Sequence, residues 1–204
     1  TSRPRCPASS SAQVPAGDDA ALLQDVQRPV FTTDSQREEI HFRRQWQSMS
    51  EVGRKAVSVT FSDLAASFAR PVALFVNLAL PETVSDADVS ELYTGIDTVL
   101  LSHGALLGGG NISGGRTLGI DMFAVGEGHP GIFPRRSAAQ PGFGVYATGP
   151  LGLARAGLQC LIRREPGFPG LVRAFKNPVP RFDAARVLAE NGVSCVMDIS
   201  DGLA

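Results

Sequence analysis

Six aspartates, one histidine and a glycine run hold most of the chemistry available to this sequence. "GDDAALL" carries Asp18 and Asp19, "FTTD" ends on Asp34, "TFSDLAA" places Asp63 between apolar neighbours, and "VMDISDGLA" supplies Asp198 and Asp201. Taken singly, each is an ordinary cap or turn residue that bonds nearby backbone N–H groups. A carboxylate in an otherwise apolar stretch, as at Asp63 and Asp198, nevertheless needs a partner once it is buried. Most of these groups fall at strand ends or helix starts, where they can share one rim. Carboxylates converging there repel by about 4 kcal/mol per pair at about 4 Å and an effective dielectric of about 20. Divalent cations relieve that repulsion. An oxygen-only donor set without Cys or His points to Mg²⁺, held jointly by carboxylates, water and phosphate oxygens.

"LLGGGNISGG" (106–115) is the second feature. Glycine allows close backbone approach, and successive N–H groups can cradle an anion. The run is neither a P-loop nor a GxGxxG fingerprint, and a plain glycine hairpin explains it equally well. His41, in "EEIHF", reads as packing or surface on its own, and no nucleophile–histidine–acid set emerges from the spacing. The bottom-up reading is an acidic, Mg²⁺-holding site beside a glycine-rich anion loop, suited to phosphate-ester or nucleotide chemistry.

The elements that must position these groups follow from periodicity. "RPVFTTD" reads as a strand opening into a polar loop. Residues 50–69 carry apolar residues at helical spacing, with Pro71 as the stop, and 72–81 form a β-rich run. Residues 85–104 are the clearest helix, with Ser85 or Asp86 as cap and Gly104 as terminator. "ALLGGG" is a strand with a glycine turn, and "TLGIDMFAVGEG" a longer strand. Residues 128–144 are dense in Pro and Gly and read as a linker. Beyond it, "VYATGP" predicts a strand, while "LGLARAGLQCLIR" and "RFDAARVLAEN" predict helices. The expected organisation is a disordered tail (1–16), an amino-terminal domain (17–127) carrying the Mg²⁺ and nucleotide chemistry, the linker, and the start of a second α/β domain (145–204). The fold class is α/β (α+β), a mixed sheet covered by helices.

With 204 residues and 43% hydrophobic content, the chain has the make-up of an ordinary globular protein. A net charge of −1 argues against a broad nucleic-acid footprint. No apolar run approaches the roughly 20 residues of a membrane span. Three scattered cysteines without a CxxC pair suit a reducing cytoplasm. Arginine dominates the basic residues; Lys55 and Lys176 are the two lysines.

Read in order, "GDDAALL", "FTTD" with "IHF", "KAVSVTFSDLAASFARP", "LALP", "ELYTGI", "GGGNIS", "RRSAAQPG", "VYATGPLGLARAGL" and "MDISDGL" resemble the thiamine-monophosphate kinase family. The wider superfamily includes aminoimidazole ribonucleotide synthetase, selenophosphate synthetase and a hydrogenase-maturation protein. The resemblance implies transfer of the ATP γ-phosphoryl group to thiamine monophosphate, and a homodimer whose amino-terminal sheets pair into a barrel. It further implies several Mg²⁺ ions on Asp19, Thr33, Asp34, Asp63, Asp198 and Asp201. By the same carry-over His41 meets the thiamine phosphate, while Tyr93, Gly110, Asn111, Arg136 and Ser200 contact ATP. Asn111 stands where many members have Asp, Thr60 replaces a frequent Asn, and Phe68 replaces a common Gly. "RSAAQPGFG" loses an Arg and an Asp of the usual loop. The family continues past "ISDGL" into an acidic "GGEDY" segment, so the chain is expected to be a fragment with impaired turnover. A sibling ATP-dependent synthetase and a non-catalytic nucleotide-binding or dimerising remnant are the alternatives.

Overall fold

Two helices with matched caps build the layer that covers the sheet. In α1 (Met49–Ala66) the Ser48 hydroxyl accepts from the Glu51 N–H, while the Glu51 carboxylate accepts from the Ser48 N–H. In α2 (Asp86–His103) Ser85 and Asp88 repeat this capping box, and Gly104 ends the helix in the left-handed conformation. The computed structural model describes residues 20–165 and 168–202, so the predicted tail and Asp19 lie outside the described residues.

The sheet has four strands in the order β1-β4-β2-β3: β1 (Pro29–Arg37), β2 (Ala69–Leu80), β3 (Leu106–Gly114) and β4 (Gly119–Gly128). β2 and β3 are parallel because α2 crosses between them, and β4 runs antiparallel to both β1 and β2. Leu74, Val76 and Leu78 of β2 and Ile120, Met122 and Ala124 of β4 face the helices. There they meet Val57, Phe61 and Leu64 of α1 and Leu92 and Ile96 of α2 in one buried core. The expected α/β sheet under helices is what the chain forms.

α3 (Leu153–Arg163), α4 (Pro169–Lys176) and α5 (Phe182–Glu190) follow β4 along the chain. α5 docks through Ala185 and Ala189 onto Ala65 and Phe68. α3 and α4 reach back over the loop between β1 and α1, where Leu158, Ile162 and Phe175 line a cleft with His41 and Trp46. Among the described residues no helix is long and apolar enough to cross a membrane.

Four expectations change. α1 ends at Ala66 rather than 69, because Phe68 takes a left-handed φ of 53° and β2 begins at Ala69. Pro71 therefore lies inside a strand, at a register irregularity before Ala73 that tolerates its missing N–H. The glycines at 108–110 form no hairpin turn; they are part of β3, whose one bulge falls opposite Leu74 and Phe75. Residues 145–150 are not a strand, because no neighbouring strand receives them, and Val145 and Tyr146 are fully exposed.

Candidate functional site

β1 alternates. Val30, Thr32, Asp34 and Gln36 turn toward the helices, while Phe31, Thr33 and Ser35 turn away. Asp34 thus stands at the rim of the sheet on the same face as Asp63 of α1. The two elements are tied there by the Thr32 hydroxyl, which donates to Asp63 Oδ2 at 2.6 Å. The side chain of Thr33, the predicted ligand, is on the opposite face. Period-two alternation from Asp34 was the signal that selects Thr32.

The closing segment reaches the same rim. The Asp198 carboxylate accepts from the Ser200 N–H at 3.3 Å, and the Gly202 N–H closes a turn onto the Ile199 carbonyl at 3.0 Å. A 3₁₀ turn at Arg136–Ala138 is pinned to this segment by the Arg135 N–H on the Ser194 carbonyl. That bond places Arg136 3.8 Å from Asp198.

These groups act on one another electrostatically. Burial pushes the Asp34 carboxyl above its ordinary value; the Ser35 N–H, 2.6 Å away, opposes this, and the charges of Asp63 and Asp201 add to it. Burial likewise raises Asp63, the Thr32 bond lowers it, Asp198 and Asp201 raise it, and Arg136 lowers it. His41 lies near enough to lower Asp34. Its Nδ1 accepts from the Arg37 N–H at 3.0 Å, which leaves Nε2 to carry the proton and donate to an anion. Asp34, Asp63, Asp198, Asp201, His41 and Arg136 therefore assemble into one electrostatic site, with Ser200 on the same turn.

Gly110, Asn111 and Tyr93 do not join it. Asn111 pairs with Asn77 on β3, the far edge of the sheet, on the face away from the helices. Three strand spacings separate the two edges, about 14 Å. Gly110 approaches β2 so closely that an added Cβ would sit 1.9 Å from the Val76 carbonyl oxygen. Tyr93 packs from α2 against the core.

Among the described residues no three of His, Cys, Asp and Glu approach closely enough to hold one ion by themselves. The donor set still fits a hard cation. It consists of carboxylates and a hydroxyl, and burial and neighbouring carboxylates raise Asp34 and Asp63, the two on the sheet and α1, above their ordinary value.

The family model for AIR synthase related protein, N-terminal domain, matches residues 17–127. The chain belongs to this AIR synthase related family. Within the family it is similar to the thiamine-monophosphate kinase of Bacillus subtilis (strain 168), 32% identical over 211 residues, covering 98% of this chain and 65% of that relative. A crystal structure of thiamine-monophosphate kinase from Stenotrophomonas maltophilia K279a superposes with a TM-score of 0.80 at 28% identity, covering 89% of this chain and 60% of that one. AaThiL complexed with AMPPCP and TMP superposes with a TM-score of 0.73 at 31% identity, covering 84% of this chain and 56% of that one. The chain thus spans about three fifths of the length of the relatives it matches.

Proposed function

We propose that this chain belongs to an enzyme that phosphorylates thiamine monophosphate to thiamine diphosphate with ATP. The observation that carries this reading is the convergence of Asp34, Asp63, Asp198 and Asp201 beside His41 and Arg136. The relatives' names, and the AMPPCP and TMP in the AaThiL complex, agree with it. The acceptor is already a phosphate anion, so no general base is required; catalysis is positioning of two polyanions and neutralisation of their charge. Mg²⁺, when bound, supplies that neutralisation. Asp34, Asp63, Asp198 and Asp201 would hold it, with Asp19 and Thr33 as further carried-over ligands. Nε2–H of His41 binds the acceptor phosphate. Arg136 and Ser200 orient the nucleotide from the closing turn; Tyr93, Gly110 and Asn111, the other carried-over ATP contacts, lie away from this rim. A cytoplasmic setting suits the free thiols of Cys160 and Cys195.

We also infer a homodimer formed through the sheet face that lacks helices. Phe31 and Phe123 stack there at 5.7 Å, with Phe75 at 6.0 Å, and Phe31 remains 59% exposed. Converting Phe31 and Phe123 together to Asp leaves the helix-side core untouched and is expected to turn a dimer into a monomer in sedimentation equilibrium. A wild-type chain that is already monomeric at micromolar concentration refutes the inferred dimer.

The decisive assay supplies ATP, Mg²⁺ and thiamine monophosphate and follows thiamine diphosphate, with calorimetry for each ligand. Mg²⁺-dependent binding of both substrates is expected. Turnover by the 204-residue chain alone is expected to be low, since two fifths of the relatives' length has no counterpart in it. Binding of nucleotide with transfer to a different acceptor would sink the thiamine reading and leave the metal–nucleotide reading standing.

A further inference from the structure

In this arginine-rich chain both lysines lie at the contact between α1 and α4. Lys176 Nζ pairs with Glu51 at 3.2 Å. Lys55 is different. Its Nζ donates to the His41 carbonyl at 2.9 Å and sits 3.8 Å from the centroid of the Phe175 ring. Phe175 in turn meets the edge of Trp46 at 6.4 Å, and Arg43 lies over the other aromatic of this contact, Trp46, at 4.6 Å. One ammonium therefore joins the backbone of His41 to the aromatic end of α4, two groups that also line the neighbouring cleft.

The environment of that ammonium is unusual. Burial alone pulls the Lys55 amine down to about 8. The charged or titratable groups of the adjoining elements include Glu38, Glu39, His41, Arg43 and Arg44 in the loop, Glu51 and Arg54 on α1, and Arg173 and Lys176 on α4; Glu39 is engaged with Arg43 and Glu38 with Arg44. Glu51 is engaged with Lys176, and among the described residues no carboxylate pairs with Lys55. An amine kept in this setting without a counter-ion costs stability, and a plain packing role would be filled better by an apolar side chain. Lysine rather than arginine also suits the spot, because a compact ammonium makes one bond to a carbonyl and one face contact where a planar fork needs width.

We propose that Lys55 is a positioning residue for the phosphate acceptor: by holding the His41 carbonyl against α1 and seating on Phe175, it fixes the loop that presents the His41 imidazole and couples that loop to the docking of α4. This rests on the reading that His41 binds the acceptor phosphate. Loss of the charge weakens the contact to the ring and frees the loop, so acceptor affinity and the α4 contact change together.

The test uses the whole 204-residue chain. Its single tryptophan, Trp46, reports the loop–α4 contact by fluorescence. Calorimetry measures thiamine monophosphate binding in the presence of Mg²⁺ and AMPPCP. Lys55→Met and Lys55→Gln are expected to weaken acceptor binding by about tenfold or more, while nucleotide affinity stays within about twofold and the melting temperature holds or rises. Lys55→Arg, which keeps the charge, should recover much of the loss. Wild-type acceptor affinity and Trp46 emission should both shift as pH rises through about 8, and Lys55→Arg should be flat there. Acceptor binding kept by Lys55→Met and Lys55→Gln overturns the proposal. So does a fall in melting temperature with both affinities dropping in parallel, which marks a structural role only. His41→Ala separates the two levels. Binding lost in that variant but kept in Lys55→Met defeats this proposal alone, whereas a wild-type chain that binds no thiamine monophosphate defeats the acceptor reading and this proposal with it.

Discussion

Mg²⁺ at a hundred times its dissociation constant is expected to stabilise the wild-type chain by about 2.7 kcal/mol, and to leave an Asp34→Asn, Asp63→Asn double variant nearly unmoved. For a chain of this size that is a melting shift of about 5–10 °C. On the proposed kinase reading, phosphoryl transfer should fall by about a hundredfold or more in the same variant, because charge neutralisation is most of the catalysis. In metal-free buffer the order reverses. Asp34 and Asp63 both have carboxyls raised above 3.8, by burial first and by neighbouring carboxylates after it. A raised carboxyl keeps its proton longer in the folded state than in the unfolded one. Its contribution to stability is therefore fully present below 3.8 and is lost as pH climbs through the raised folded value. Without metal, the double variant should melt above wild type at pH 7, and the gap should close as pH falls toward 4. Calorimetric scans across that range with EDTA and with Mg²⁺ check both signs. A wild type indifferent to Mg²⁺ removes the metal site from the reading.

Gly95→Ala is expected to cost about 3 kcal/mol although alanine is the better helix former, by about 1 kcal/mol. α1 and α2 cross backbone to backbone at two glycines. A Cβ on Gly95 would lie 2.0 Å from the Ser50 carbonyl oxygen, and one on Gly53 would lie 2.2 Å from the Leu92 carbonyl oxygen. No rotamer relieves a clash between a Cβ and a backbone oxygen, so the helices must separate, and the core between Val52, Leu92 and Ile96 opens with them. Gly170 in α4 has nothing within 4 Å of its notional Cβ, and Gly170→Ala should be neutral or mildly stabilising. Chemical denaturation of the two variants side by side makes the comparison; equal midpoints would show that the helices do not meet as closely as described.

What could be read from the sequence was whatever short-range physics determines. α2 was visible because cap, period and terminator agree at each end, and α1 because of its apolar period, although its end at Ala66 was not. The start of β1 was visible from its β-branched and aromatic run, but the strand continues through Arg37, where a polar loop was expected. Asp34 and Asp63 were visible as candidates for the same reason, each attached to an element that could be placed, whereas Asp198 and Asp201 lie on a turn beyond α5. The misses have a common cause in long-range partners. Residues 145–150 have strand composition, but a strand exists only when a neighbour receives its hydrogen bonds. α4, eight residues long, is too short to announce itself and is held by Phe175 and Lys176 against α1. Lys55 gave only a compositional hint, a lysine kept where arginine is the habit, and its burial depends on a helix more than a hundred positions away.

Phe68 shows how such a dependence alters the meaning of a residue. Its left-handed φ of 53° is one that glycine adopts freely and that costs a residue with a side chain about 1–2 kcal/mol. Its ring, 7% exposed, is buried against Ala185 and Ala189 of α5. The turn that launches β2 is therefore strained for the sake of α5. Cut loose from α5, Phe68 is a liability twice over, a bent backbone and a bare ring, and glycine would serve better. With α5 present, the ring outweighs the bend. The same substitution is thus expected to have opposite signs with and without α5, because part of what selects the turn before β2 lies more than a hundred residues downstream.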